Sequence, residues 1–203
     1  MKILIILFLF FNLQFIFAET RDSGDPFFIG DPMSFYKPTE QLVKFRFPDS
    51  KLLFISTFGS GSPDPRCSKI GWQFIYEDSN SSVGIRRSFR HISQLDGSCA
   101  YVPDEPLRVS KEDFPILGYS PVQNRINLVR VKLQEAMASA IEVAGNGFSP
   151  RWVKLVTPVH PRAAGRIFWN FRGPVFCNKA TEITIDASTG LFEPYFSTVS
   201  ECE

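Results

Sequence analysis

Two short aromatic patterns, Trp72-Gln73-Phe74 and Trp169-Asn170-Phe171, constrain the fold of this 203-residue chain more than any other feature. Each lies in a run where apolar and polar residues alternate. In residues 70–77, Ile70, Trp72, Phe74 and Tyr76 share one face, Gly71, Gln73 and Glu77 take the other, and Ile75 is the exception. In residues 166–172, Ile167, Trp169 and Phe171 share a face. A period of two is the pattern of a strand with one buried side. A strand-like run precedes each pattern: residues 51–56, with Leu53 and Ile55 on one face, and residues 152–156, with Val153 and Leu155. Another follows each: Val83 and Ile85 in the first case, Ile183 and Ile185 with Glu182, Thr184 and Asp186 outward in the second. The matching residues are separated by a nearly constant 97 to 100 positions. The chain therefore reads as one three-strand unit written twice.

Each unit has a helical segment before it. Residues 39–45 predict a short helix with Thr39 as its cap and Pro48 as its stop. Residues 123–144 predict a longer one, because Ile126, Val129, Leu133, Met137, Ala140, Ile141 and Ala144 recur at steps of three and four and Gly145-Asn146-Gly147 ends the pattern. A helix with one apolar face and a meander with one apolar face can bury each other. Units of roughly 50–60 residues are marginal alone, so side-by-side pairing and cross-links are expected to support them. The expected class is α+β: two helix-plus-antiparallel-meander units, separate or fused into one sheet. The expected division is a signal segment at 1–18, an extended lead-in at 19–38, a first unit at 39–92, an irregular connection at 93–122 and a second unit at 123–203.

The beginning of the chain predicts export. Lys2 precedes an apolar run, residues 3–18, broken by Asn12 and Gln14, and a polar stretch follows Ala18. That order is the order of a cleavable secretory signal, and it implies a secreted or periplasmic protein with no membrane span after cleavage. The run is short for a span of about 20 residues. Cys67, Cys99, Cys177 and Cys202 all lie beyond it, and an even count in an exported chain points to two disulfides. Of the three connectivities, the local pairs Cys67–Cys99 and Cys177–Cys202 fit the two-unit organisation best, each worth roughly 2–4 kcal/mol. No Cys-x-x-Cys or histidine pair supports zinc, and Asp22, Asp25 and Asp31 do not have calcium-loop spacing, so no metal and no cofactor are expected. A net charge of +1 gives no global field toward nucleic acid. The local cluster Arg86-Arg87-Ser88-Phe89-Arg90-His91 is read as a solvated strand end.

The chemistry available to an enzyme is sparse. His91 and His160 are the two histidines, and neither lies in a recognisable nucleophile or metal motif. Gly59-Ser60-Gly61-Ser62 lacks the lysine and helix of a phosphate loop, and Asp186 reads as a turn former. Catalysis is therefore not expected, and no catalytic residue is assigned; a small hydrolase using a carboxylate or histidine site, or a structural envelope component, are the alternatives. Trp72, Trp169, Phe74 and Phe171 are expected in the core. Trp152 is out of phase with Val153 and Leu155, so it is expected at the surface as a contact residue for a protein partner. Asn80-Ser81-Ser82 matches a glycosylation acceptor.

The second unit resembles the PepSY and PepSY-like (BLIP-like) secreted domains. The resemblance is carried by Ala136, Ala140 and Ala144, by Gly165-Arg166-Ile167-Phe168-Trp169-Asn170-Phe171, and by Ile183-Thr184-Ile185-Asp186-Ala187-Ser188-Thr189-Gly190. The first unit is similar through Phe47-Pro48-Asp49-Ser50-Lys51-Leu52 and Trp72-Gln73-Phe74, so the resemblance spans about 39–88 and 123–192. Residues 173–179, with Cys177, depart from the pattern. The resemblance implies a cystatin/PepSY-like helix-plus-meander fold, present in tandem. It also implies an exported, non-catalytic binding protein that modulates a peptidase. It supplies no inhibitory residue set.

Overall fold

The structure is a computed structural model and describes residues 30–58, 70–78, 83–96, 98–110, 119–145, 147–176 and 179–199. The first helix, α1, runs Pro32–Arg46, and the second, α2, runs Leu133–Ala144. Eight strands follow in chain order as β1 (Lys51–Phe58), β2 (Gly71–Glu77), β3 (Val83–Ser93), β4 (Cys99–Pro103), β5 (Leu107–Ser110), β6 (Trp152–Val156), β7 (Phe168–Phe176) and β8 (Lys179–Asp186). They form one antiparallel sheet in the order β4-β3-β2-β1-β6-β7-β8, with β5 also paired to β3. The class is α+β, as the alternation predicts. Within it the two meanders, β1-β2-β3 and β6-β7-β8, meet through β1 and β6, where Ile55 lies directly opposite Leu155. Those are the residues that the sequence superposition equates, so the two halves face each other about an approximate two-fold axis.

The helices pack on one face of this sheet. Leu52, Ile55, Trp72, Phe74, Ile85, Val153, Leu155, Trp169, Phe171, Ile183 and Ile185 form one buried cluster with Phe35, Tyr36 and Val43 of α1 and Leu133, Ala136 and Ala140 of α2. Small residues let α2 lie close to β7 and β8. At the matching place α1 carries Phe35, whose ring meets Phe89 with centroids 4.7 Å apart. Both tryptophans are fully buried, and each needs an acceptor for its indole N–H. Trp72 Nε1 donates to the Gly30 carbonyl at 3.1 Å, and Trp169 Nε1 donates to the Val131 carbonyl at 3.0 Å. Gly30 and Val131 each immediately precede the N-cap residue of a helix, Asp31 for α1 and Lys132 for α2. The same bond thus ties each helix start to its own meander.

Several local expectations are corrected. Helix α1 begins within the stretch expected to be an extended lead-in. Asp31, not Thr39, is its cap: its Oδ1 accepts from Met33 N at 2.9 Å, and Pro32 occupies the first turn, where a missing N–H costs nothing. Thr39 is buried in mid-helix, and Pro38 is carried inside the helix. The expected long helix over 123–144 is shorter. Residues Val122–Asn124 and Ile126–Leu128 are 3₁₀ turns, because Gln123 is held elsewhere: its Oε1 accepts from Leu52 N and its Nε2 donates to Glu40. The connection expected to be irregular contains the end of β3 and all of β4 and β5; Pro103 is the last residue of β4 and Pro106 immediately precedes β5. Gly173-Pro174 does not stop β7; the strand continues through a register shift between Arg172 and Val175, with the Phe148 ring packed over Gly173. A shift between Leu52 and Phe54 likewise turns Leu53 away from the main core, so Leu53 joins Phe54, Ile75 and Val156 on the other face. The basic cluster in β3 is not a solvated end: Arg87 is buried, Phe89 is in the core, and Arg90 Nε donates to Asp104 at 3.1 Å.

The signal segment, the 59–65 loop, Asn80 and Cys67, Cys177 and Cys202 lie outside the described residues. Cys99, at the start of β4, is disulfide-bonded, and the pairing expected with Cys67 falls outside them. No helix among the described residues is long and apolar enough to cross a membrane.

The paired indole bonds generate a measurable expectation. Trp72→Phe and Trp169→Phe each leave a half-buried carbonyl without its indole donor, which costs about 0.5–1.5 kcal/mol. Urea unfolding monitored by circular dichroism should show losses of this size in both variants. A loss confined to one of them would contradict the equivalence of the two bonds.

Candidate contact surface

The face of the sheet opposite the helices carries the outward side chains of the second half. On β6 these are Trp152, Lys154 and Val156; on β7, Phe168, Asn170 and Arg172; on β8, Glu182, Thr184 and Asp186. Strand alternation places them there, because Val153, Leu155, Trp169, Phe171, Ile183 and Ile185 point into the core. Trp152 is 55% exposed, as expected from its phase. It lies opposite Arg172, which in turn lies opposite Glu182 and pairs with it at 3.4 Å. In the middle of the face, Asn170 Nδ2 donates to Thr184 Oγ1 at 2.9 Å, and the Lys154 ammonium lies 5.8 Å from the Tyr119 ring centroid. Burial pushes the Lys154 amine below the usual lysine range, with Glu182 working against that shift and Arg172 adding to it.

The other end of the face is built by the segment after β8. Residues 191–198 run back along the β8 edge: Glu182 and Thr198 exchange backbone bonds of 2.7 Å, and Glu193 N donates to the Thr184 carbonyl. This return places the Pro194–Phe196 turn against β7, with Phe196 at 5.4 Å from the Phe168 ring. Tyr195, 48% exposed, then meets the loop after β6. Its hydroxyl lies 2.9 Å from His160 Nε2, and its ring stacks under the Arg162 guanidinium at 4.3 Å. His160 Nδ1 accepts from Arg162 N at 3.2 Å. In the neutral ring the proton therefore sits on Nε2 and is donated to the tyrosine oxygen.

Arg166 fastens this end. Its Nε donates to Asp186 Oδ2 at 2.9 Å, its Nη1 donates to Glu193 Oε2 at 2.6 Å, and it lies over the Phe168 ring at 4.7 Å. Asp186 also accepts at Oδ1 from Ser188 N at 2.8 Å and from the Ser188 hydroxyl, which makes it the turn former expected from its sequence context. Gly190 ends that turn with φ of +79°, a conformation that favours glycine. Burial raises the Asp186 carboxyl, but the Ser188 donors and the Arg166 guanidinium outweigh it and hold the group below the usual aspartate value.

The arrangement joins Trp152, expected from sequence, with residues that sequence reading did not assign. His160, weighed only as a candidate for catalysis, touches Tyr195 and a backbone N–H; the nearby carboxylates Asp186 and Glu193 are taken up by Arg166. His91 lies in β3, opposite Tyr101, in the other half. The signal for Tyr195 and Phe196 was present in Glu193-Pro194-Tyr195-Phe196, an aromatic pair after the last alternating run. Nothing local indicates that it returns to His160. Among the described residues there is no group of three or more metal-ligating side chains; Asp31, considered for calcium, caps α1. No protein-family model, no curated protein and no solved structure matches the chain.

The Asp186 carboxylate sets an expected pH dependence. Its pKa is lower folded than unfolded, so its contribution to stability is complete above the ordinary aspartate range, about 3.9, and is lost as pH falls through the folded value. Asp186→Asn should therefore lower stability at neutral pH and flatten the acid limb of a stability-against-pH curve. An acid limb identical to that of the parent protein would remove Asp186 from this role.

Proposed function

We propose that this chain is an exported protein that acts by binding another protein, through the helix-free face of its second half. The observation that carries the proposal is the placement of Trp152 and Tyr195. Both rings are about half exposed at opposite ends of the same sheet face, and the Tyr195 ring is held in place by His160 and Arg162. Tryptophan, tyrosine and arginine are the residues that most often dominate protein contacts, and rings fixed before binding lose little entropy on contact. The strand distance from Phe168 to Arg172 is roughly 13 Å at 3.3 Å per residue, so one extended peptide segment can touch both ends. Arg162, Lys154 and Arg172 line the way, which suits a segment with acidic or carbonyl-rich character.

The resemblance of both halves to PepSY-like domains supplies the partner class, a peptidase whose activity the chain modulates. The repeated helix-plus-meander halves and the expected signal segment agree with that reading. A hydrolytic reading finds less support, since His160 is oriented by Tyr195 and a backbone N–H, with no carboxylate among the described residues hydrogen-bonded to its ring.

The test is binding and inhibition by the mature chain against a panel of extracellular peptidases, with Trp152→Ala and Tyr195→Ala as paired variants. Each is expected to weaken the effect at least about tenfold, the weight of a contact hot spot, with unchanged unfolding midpoints. A panel showing neither binding nor altered cleavage would count against the proposal, as would a response that both variants retain in full.

A further inference from the structure

The first half contains a buried polar cluster that its twin lacks. Thr39 Oγ1, Tyr76 Oη and Arg87 Nε are buried and have no hydrogen-bond partner among the described residues, and all three side chains point into the layer between α1 and strands β2 and β3. Their convergence follows from two connections. Arg87 Nη1 donates to the Pro38 carbonyl at 3.3 Å, which sets the guanidinium beside the turn bearing Thr39. Phe74 pairs with Arg87 and Tyr76 with Ile85, so Tyr76 and Arg87 are diagonal neighbours on the inner face. Tyr76 also lies within electrostatic reach of Arg87, Tyr36 and Glu40.

The second half shows what this layer needs merely to fold. Counted from the helix caps Asp31 and Lys132, Thr39 matches Ala140, and at spacings of 97 and 100 Tyr76 and Arg87 match Gly173 and Ala187, so that half has no polar side chain at these three positions. Three polar groups in the places of two alanines and a glycine are therefore not a demand of the scaffold. Each unused buried polar group carries a desolvation cost, greatest for the guanidinium. The surrounding charges relieve it only in part: Glu105 favours the charged guanidinium, and Arg46 works against it. Glu105 pairs with Arg46 at 2.8 Å, and Glu40 accepts from Gln123 at 3.1 Å and from Tyr36. No carboxylate among the described residues pairs with Arg87. The three free atoms act together as donors, two hydroxyls and one charged N–H, with the Phe89 ring 5.2 Å from the guanidinium as the apolar wall.

We propose that this cluster is an internal binding site for one small monovalent anion of halide size, held by Thr39, Tyr76 and Arg87. The anion completes the three donors and neutralises the guanidinium, and it binds only the folded chain, so it stabilises the fold in proportion to its concentration above the dissociation constant.

The test is thermal unfolding of the full chain in sodium chloride, bromide and nitrate against sulfate at equal ionic strength. Thr39→Val and Tyr76→Phe serve as near-isosteric variants, each removing one hydroxyl. The expected result is a midpoint that rises with chloride and bromide and then saturates, with the saturating rise reduced or lost in both variants. Crystals grown in bromide should show anomalous density within hydrogen-bond distance of Arg87 Nε. The proposal is overturned if the midpoint is the same in all salts, if both variants keep the full halide response, or if the position holds only an ordered water in bromide crystals.

Discussion

The indole N–H bonds of Trp72 and Trp169 are the connection on which this architecture rests. A three-strand meander with one apolar side has no stable existence in water, and a short helix is marginal by itself. Each must be placed on the other in a fixed orientation. The two tryptophans do this with the same atom pair in both halves, burying the largest side chain available and spending its polar handle on the residue just before the helix cap. The entry point of each helix is thereby fixed against the middle strand of its own meander. The rest of each inner face follows from that anchor. In the second half, alanines allow the helix to settle close to the sheet; in the first, the rings of Phe35, Phe74 and Phe89 fill a wider gap.

Joining the halves through β1 and β6 creates one broad sheet and leaves two outer edges to be protected. An open strand edge invites pairing with other chains. Here β8 is lined by the returning segment 191–198, with paired backbone bonds at Glu182 and Thr198 and a further bond from Asp186 to Leu191. On the other side, the long β3 is covered in sequence by β4 over Phe89–Ser93 and by β5 over Val83–Arg86. The same return that seals β8 also carries Tyr195 to His160, so edge protection and the proposed contact surface come from one piece of chain.

The sequence was informative wherever burial imposed a simple period. Both tryptophan strands, the outward phase of Trp152 and the turn at Asp186 follow from alternation and local turn chemistry alone. The misreadings share a cause: a residue whose local meaning is overridden by a distant partner. Thr39 reads as the start of a helix after an extended lead-in, yet α1 runs through Pro38, whose carbonyl receives Arg87 from β3. Gln123 reads as the first residue of a helix, yet its amide bridges Leu52 and Glu40. Arg87 reads as a solvated charge in a basic run, although the alternation that includes Ile85 and Phe89 already places it inward. The contact between Tyr195 and His160 had no local signature, because it depends on the register of a segment lying beyond the last strand.

The two halves share a scaffold and diverge in what they do with it. In the second half the interior is apolar and the outer face carries the charges and exposed rings. In the first half the outer face near the joint is quieter, with Gln73 bonded to Ser56 at 3.0 Å, while polarity has moved inward to Tyr36, Thr39, Glu40, Tyr76 and Arg87. The packing demands on the two helix-plus-meander halves are alike, so packing alone does not account for this difference in where the polar groups lie. Buried polarity on one side and an exposed aromatic face on the other separate the two halves, and the proposed anion site and the proposed contact surface fall one to each. Both halves nevertheless contribute to one continuous core through Ile55 and Leu155, so the polar layer under α1 and the strand that bears Trp152 belong to one packed body.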